Sequence, residues 1–517
     1  MKKNLSLNIF LFFISIIIIY FSYSQSLTQN WSSIIDFDLT VIFNSLQVIS
    51  GYEQDFREHP GFTQFLIYGI FYKFFSFFDQ NLIINVDQLL ELQNPTDNLQ
   101  KLFLISRFAN SIFFVFILFF FVRICEIFEI KNELIIISLI GIILSSTSIS
   151  NLFILRADII AIAFILAAFY LLLSFVKFEK SNIKLFLSGA FILLGLLAKI
   201  QAIVILVPIL CFVFIFINNE LKFEEFNLSM TKYLNYYIIF YIFFLIIYLV
   251  LQFFIYQHPR FSDQNYIDVI IFIIFNSLLL SSFFLAYKKN NQLFKIIFSV
   301  FILIFIGFFF TLIFFLILSY LDVFKLSPYI LLRLTNPFYY LKVYSPISEA
   351  NVDISFISNF LTIILQGIKV QIYGLIILCL LLIFSIRRDL LQKNYKNFQY
   401  KIVFFVSIIL IILSFNFRYY KLYDLYYLPF YYFLITYCLS SLRKYYIILF
   451  LVGVILVNNN FFFNIYESTT NRFNKVSNIE KICFDKNTRK FIWWWARKLD
   501  DKFFKKICVE QGYKFKD

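Results

Sequence analysis

Asp36 and Asp38 stand one residue apart in the run "DFDL", and Glu53, Asp55, Arg57, Glu58 and His59 follow before Gly61. This charge gathers directly after the first apolar segment of a chain in which only 15% of residues are charged. Carboxylates so placed can take a proton from a hydroxyl or hold a divalent cation. Further along, "LRAD" brings Arg156 and Asp158, "LLAKIQ" brings Lys199, "YQHPRFSD" brings His258 and Arg260, and "FNFRYYKLYDLYYLP" brings Arg418. Arg offers a planar fork to phosphate and Lys a point charge. A charge at the mouth of an apolar helix is expensive unless it faces a wet cavity, so each of these is a functional candidate. Any one of them could equally cap a helix end or snorkel to the headgroups. Glycine-rich phosphate loops, zinc-type Cys and His spacings and Ser-His-Asp patterns are absent. Of the six cysteines only Cys483 and Cys508 share the tail, where an oxidising compartment would let them pair.

The elements that must hold these residues are helices in a membrane. With 61% hydrophobic residues and a mean hydropathy of +0.81, the chain would expose far too much apolar surface in water. An all-α, multi-pass membrane protein is expected. The net charge of +14 sits mostly in short loops and the tail, which reads as topology rather than nucleic-acid binding. Leu7 to Tyr23, after Lys2 and Lys3, reads as an uncleaved anchor. Gln64, Tyr68, Tyr72 and Ser76 recur every four residues and make one polar stripe on Gly61 to Phe78, the pattern of a helix lying in the interface. Asp38 to Ser50 repeats it, with Leu39, Ile42, Phe43, Leu46 and Ile49 opposite Thr40, Asn44 and Gln47. The first external loop then runs from 24 to 101 with two interfacial helices. Spanning helices are expected near 103–122, 133–150, 158–176, 185–198, 201–217, 234–256, 266–287, 294–319, 368–386, 402–417, 425–441 and 446–463. With the anchor there are thirteen, in a polytopic domain 1–463 followed by a short external tail 464–517. Reading 185–198 and 201–217 as two passes keeps "VKFEKSNIK", "YKKNNQLFK", "IRRDLLQKNYKNFQYK" and "LRKYY" on the cytoplasmic side.

The order of these motifs resembles a known family. An early external acidic motif precedes an amphipathic helix, then come "HPG", a helix opening "ISRFANSIFFVF", "RAD", "GLLAK" and a late "RYY…LYYLP". This is similar to the GT-C superfamily of membrane glycosyltransferases, in the branch of protein O-mannosyltransferases and lipid A aminoarabinose transferases. The likeness covers residues 1 to 220, and the rest in architecture. It implies transfer of a sugar from a polyprenyl-phosphate donor to a lipid, glycan or protein acceptor, in a bacterial inner or plasma membrane with the site facing outward. It implies an external carboxylate as base, Asp38 or Asp36, because the family's Asp-Glu pair falls where this chain has "DFDL". It further implies Arg156, Lys199 and Arg418 as phosphate clamps, Asp158 as an orienting group and His59 beside the donor. A monophosphate leaving group requires no metal, so no cofactor is expected. Asp38 is favoured over Asp36 because it opens a helix, whose N-terminus favours the ionised form. A transporter or flippase of lipid-linked sugars, or a glycan polymerase or ligase, would share the donor; the first would place ionisable residues near the midplane in related halves.

Overall fold

The computed structural model describes residues 5–29, 31–32, 38–55, 61–178, 181–220, 239, 242–243, 246, 292–326, 376–415, 425–442 and 479–516. Every regular element among them is a helix. In chain order these are α1 (Leu5–Thr28), α2 (Asp38–Ile49), α3 (Phe62–Ser76), α4 (Val86–Glu91), α5 (Thr96–Ile127), α6 (Asn132–Ile143), α7 (Ser146–Phe153), α8 (Ala157–Lys177), α9 (Asn182–Ala198) and α10 (Ile203–Glu220). There follow α11 (Gln292–Tyr320), α12 (376–391), α13 (Tyr395–Phe415), α14 (Leu428–Ser440), α15 (Ile479–Phe484), α16 (Lys486–Trp495) and α17 (Asp501–Glu510). Five of the described helices are long and apolar enough to cross a membrane, or six if the bent pair α6 and α7 is one span. The expected spans at 266–287 and 446–463 lie outside the described residues, as does all of 234–256 but residues 239, 242–243 and 246, so the thirteen expected passes are not reached among them.

Helix α5 is the mast of the bundle. Its 32 residues rise about 48 Å, well beyond a hydrocarbon core of about 30 Å. Its Thr96 end follows the first loop. The other end, at Phe128, enters an aromatic cluster with Phe212, Phe216, Tyr400, Phe404 and Phe433. That cluster fixes the direction of α10. Helix α9 runs away from this end, the chain breaks at Lys199 with extended backbone (φ −155°), and α10 brings Phe212 and Phe216 back to it. The break divides the stretch into two helices, neither of which is among the five helices long and apolar enough to cross a membrane. Helix α9 crosses α11 at two glycines: a Cβ on Gly189 would lie 1.8 Å from the Ile304 carbonyl oxygen, and one on Gly307 would lie 1.9 Å from that of Phe186. The small residues let the two backbones touch.

Three expectations are corrected. The expected span 133–150 is not straight: it is two helices bent by 54° that together still meet the length and apolarity of one span, broken where Ser145 caps the second helix by accepting from the Ser148 N–H. The stripe on α3 faces inward, not to water. Tyr68 donates to Asn110 Oδ1 at 2.5 Å, Tyr72 and Ser106 share a hydrogen bond of 2.5 Å, and Gln64 donates to the Tyr68 hydroxyl. The outer surface of α3 carries Ile70, Phe74, Phe77 and Phe78 exposed. Helix α2 has no wet face at all, since every residue from Asp38 to Val48 is buried. A period of four tells polar from apolar, and a buried partner satisfies a polar stripe as well as water does.

Helix α2 packs against α3, α5 and α4, and the tail is tied to it through Asp55. Residues 479–516 fold into a cap of three short helices, joined by a Cys483–Cys508 disulfide. Arg489 sits buried at its centre, bonded to Asp501 Oδ1 and to the carbonyls of Ile482 and Lys516. Asp485 and Asp500 cap α16 and α17 by accepting from backbone N–H groups. The cap seats on the first loop. Lys498 reaches Asp87 at 3.1 Å, Lys506 donates to the Leu90 carbonyl at 2.7 Å, and Glu510 accepts from Thr96 at the start of α5. The Arg497 N–H donates to Asp55 Oδ2 at 2.8 Å. Of the three adjacent tryptophans, Trp493 is exposed.

Candidate active site

The first loop, the start of α8 and the end of α9 meet around two buried aspartates. Asp38 is the first residue of α2 and has no exposed surface. Its Oδ1 accepts from the Leu155 N–H at 3.0 Å, and Arg107 Nη2 of α5 stands 4.0 Å from Oδ2. No hydrogen-bond partner for Oδ2 occurs among the described residues. Arg107 is held in place by three further contacts. Nη1 donates to the Leu152 carbonyl at 3.0 Å, Nη2 donates to Gln29 Oε1 at 2.9 Å, and the guanidinium lies over the Phe103 ring at 4.7 Å.

The second aspartate is Asp158, in the first turn of α8, where the helix N-terminus favours a negative charge. Arg156, the residue that caps α8, donates from Nε to Asp158 Oδ2 at 2.7 Å, and Lys199 Nζ donates to the same oxygen at 2.9 Å. Lys199 occupies the C-cap of α9, where a cation offsets the negative end of that helix. Oδ1 of Asp158 makes no hydrogen bond of normal geometry among the described residues, and Tyr426 stands beside the carboxylate. All three ionic groups are nearly sealed, with 5%, 0% and 5% exposure for Arg156, Asp158 and Lys199.

Two links join the aspartates. Leu155, which binds Asp38 through its N–H, immediately precedes Arg156. From the other side, the Gly61 N–H donates to the Ala198 carbonyl at 3.1 Å and Thr63 Oγ1 to that of Leu194 at 2.9 Å, so "HPG" ends against the turn that presents Lys199. Gly61 takes the left-handed conformation (φ +52°), and a Cβ there would meet the Phe65 ring at 2.8 Å; glycine suits both demands.

The structure thus gathers Asp38, Arg156, Asp158 and Lys199, residues separated by up to the whole first third of the chain. Asp36, His59 and Arg418 lie outside the described residues, as do Arg57, Glu58, His258 and Arg260. Asp55 is not in the cluster; it meets the cap and α2 instead. Arg107 was missed as a site residue. Its signal was a lone Arg inside the apolar run that opens "ISRFANSIFFVF", a placement that needs a partner.

The electrostatics of Asp38 also depart from expectation. The helix N-terminus was expected to hold its pKa well below neutral, but burial pushes it up to about 6 against the opposing pull of Arg107 and the Leu155 N–H. Desolvation wins because the nearest cation is 4.0 Å away and off the hydrogen-bonding distance. A carboxylate of this kind is still largely ionised at pH 7 and is a stronger base than an exposed one. No group of three or more His, Cys, Asp and Glu among the described residues could hold a metal ion. No family model, no curated protein and no solved structure matches the chain, so the residues themselves must indicate the function.

Proposed function

We propose that the protein is a glycosyltransferase of GT-C type that moves a sugar from a polyprenyl phosphate to an acceptor hydroxyl at the outer face of a membrane, within a thirteen-span topology. The observation that carries this reading is the Asp38 carboxylate: buried, basic, with one oxygen that accepts no hydrogen bond among the described residues, and next to a cluster of two cations and an aspartate. Oδ2 of Asp38 takes the proton of the attacking hydroxyl. The hydroxyl oxygen bonds to the anomeric carbon as the bond from that carbon to the phosphate oxygen breaks, and the departing phosphate keeps the electron pair. Arg156 and Lys199 supply positive potential to that phosphate, and Asp158 fixes both cations in place. Arg418, which follows the same motif order, joins them in this proposal.

Two further features support it. An apolar groove of about 510 Å³ runs between α1, α3 and α5, lined by Ile16, Ile19, Tyr23, Phe75, Leu104 and Phe108. Leu104 and Phe108 flank Arg107 on α5, so an isoprenoid chain in the groove would approach the ion cluster from the membrane. The disulfide in the cap suits an oxidising compartment, which agrees with a cap and first loop on the exterior side.

The test is a reconstitution in which one labelled polyprenyl-phosphate sugar serves two assays. Transfer of label to a water-soluble hydroxyl acceptor, with no faster transbilayer movement of the lipid, is the expected result. Movement of the intact lipid without transfer would overturn the enzyme reading in favour of a flippase.

A further inference from the structure

The tail is linked to the helix that carries the candidate base through the Asp55 carboxylate; Lys498 of the cap also lies over the ring of Tyr52, whose N–H donates to the Gln47 carbonyl. Asp55 Oδ2 accepts from two directions, from Gln47 Nε2 of α2 at 2.7 Å and from the Arg497 N–H of the cap at 2.8 Å. The backbone N–H of Asp55 donates to Asn44 Oδ1 at 2.8 Å and to Gln47 Oε1 at 3.3 Å. Asn44 in turn donates to the Thr40 carbonyl at 2.7 Å, within the first turn of α2. The polar residues of α2 that the sequence marks as a wet face are thus tied to Asp55, and Asp55 is tied to a disulfide-braced cap that is itself anchored at Asp87, Leu90 and Thr96. A helix of 12 residues moves as a rigid rod, so a shift at Asn44 and Gln47 displaces Asp38 at its tip. The Leu155 N–H and Arg107, which receive Asp38, belong to the bundle and not to the cap.

From this we infer that Asp55 is a positioning residue, and the cap a strut, that hold α2 at the tilt which keeps Asp38 against Leu155 and Arg107. The inference rests on the proposed function for what Asp38 does, but not for what holds α2. Removing the link loosens α2 first and slows the chemical step as a consequence, while donor affinity, set by other residues, stays.

The test uses the full-length protein in lipid nanodiscs, with Asp55→Ala and, separately, the paired Cys483→Ser and Cys508→Ser change. Hydrogen exchange of amides 39–49 should become about tenfold faster in both, as expected for loss of a local tie, while α8 exchanges as before. In the transfer assay kcat should fall about tenfold with donor KM within about twofold, the pattern of misplacement rather than lost binding. Asp55→Asn, which keeps an oxygen for the Arg497 N–H, should restore most of both. Unchanged exchange at 39–49 in both variants would overturn the strut. Faster exchange with unchanged kcat would overturn the positioning role. If the wild-type protein transfers no sugar, the proposed function fails and exchange alone decides the strut.

Discussion

Two buried ion clusters occupy opposite ends of the α5 mast, and they are finished differently. At the Phe128 end Lys401 donates to Asp389 Oδ2 at 2.6 Å and to Ser441 Oγ at 3.0 Å, and it faces the Tyr437 ring at 5.4 Å; Ser441 also shares a hydrogen bond with Ser385. This pair joins α12, α13 and α14 and leaves no orphaned oxygen on Asp389 among the described residues. At the first-loop end, Asp38 meets its cation only at 4.0 Å and keeps a buried oxygen with no hydrogen bond among the described residues. A buried polar group left unsatisfied costs about 1–3 kcal/mol, and such groups concentrate where a substrate is to supply the missing partner. The Lys401–Asp389 pair behaves as a clamp; the cluster at the first-loop end is held short of completion.

Predictions follow from trying to erase that difference. The largest effect is expected for Asp158→Ala, which strands Arg156 and Lys199 in a sealed site. Removing one member of a buried ionic group costs about 3–5 kcal/mol, so the yield of folded protein and its midpoint in thermal unfolding should drop sharply.

Asp38→Asn should do the reverse. The pKa of Asp38 is raised from 3.8 to about 6 in the folded state, so the proton favours folding. That contribution is full below pH 4, declines as pH rises and is gone above pH 6. At pH 7 the ionised carboxylate therefore opposes folding by on the order of 3 kcal/mol. Asn, which never ionises and keeps an oxygen for the Leu155 N–H, should raise the unfolding midpoint at pH 7 to 8 and lose that advantage near pH 4. Equal midpoints at pH 7.5 would mean that Asp38 is not desolvated.

Gly189→Ala should weaken the α9–α11 crossing by about 1–3 kcal/mol, the usual penalty of overpacking, with proteolysis in detergent as the readout. The smallest effect on function is expected at the Lys401–Asp389 clamp. Replacing Lys401 by Met together with Asp389 by Leu removes both charges at similar volume, which is often neutral or stabilising. Transfer by that double variant should stay within about twofold of wild type, since the pair touches no part of the cluster at the first-loop end. A large loss would show that the two ends are coupled and that the contrast drawn between them is wrong.

Much of the scaffold was legible in the sequence, because a long apolar run has few structures open to it in lipid. The runs behind α5, α8 and α11 needed only composition, and Lys199 between two short apolar segments marked the turn. The pairing of Cys483 with Cys508 was readable as an option from their shared tail. What covers a residue was not legible. Asp38 accepts from Leu155 and is flanked by Arg107, and its helix is tied through Asp55 to Arg497, far along the chain. Periodicity gave the polar stripes of α2 and α3 and not the protein partners that face them. The expectation of a low pKa for Asp38 failed for the same reason: the local helix end was visible, the burial was not.

The central claim is that Asp38 is a base rather than a helix cap. Asn caps a helix about as well as Asp but cannot take a proton. Transfer of labelled sugar by purified Asp38→Asn, measured beside binding of the polyprenyl-phosphate donor, separates the two roles. The account predicts a folded protein that binds donor normally and transfers about 10²- to 10⁴-fold more slowly, the range for a missing general base. Near-normal transfer by Asp38→Asn with Asp36→Asn inactive would move the role to Asp36, and near-normal transfer by both would contradict the account.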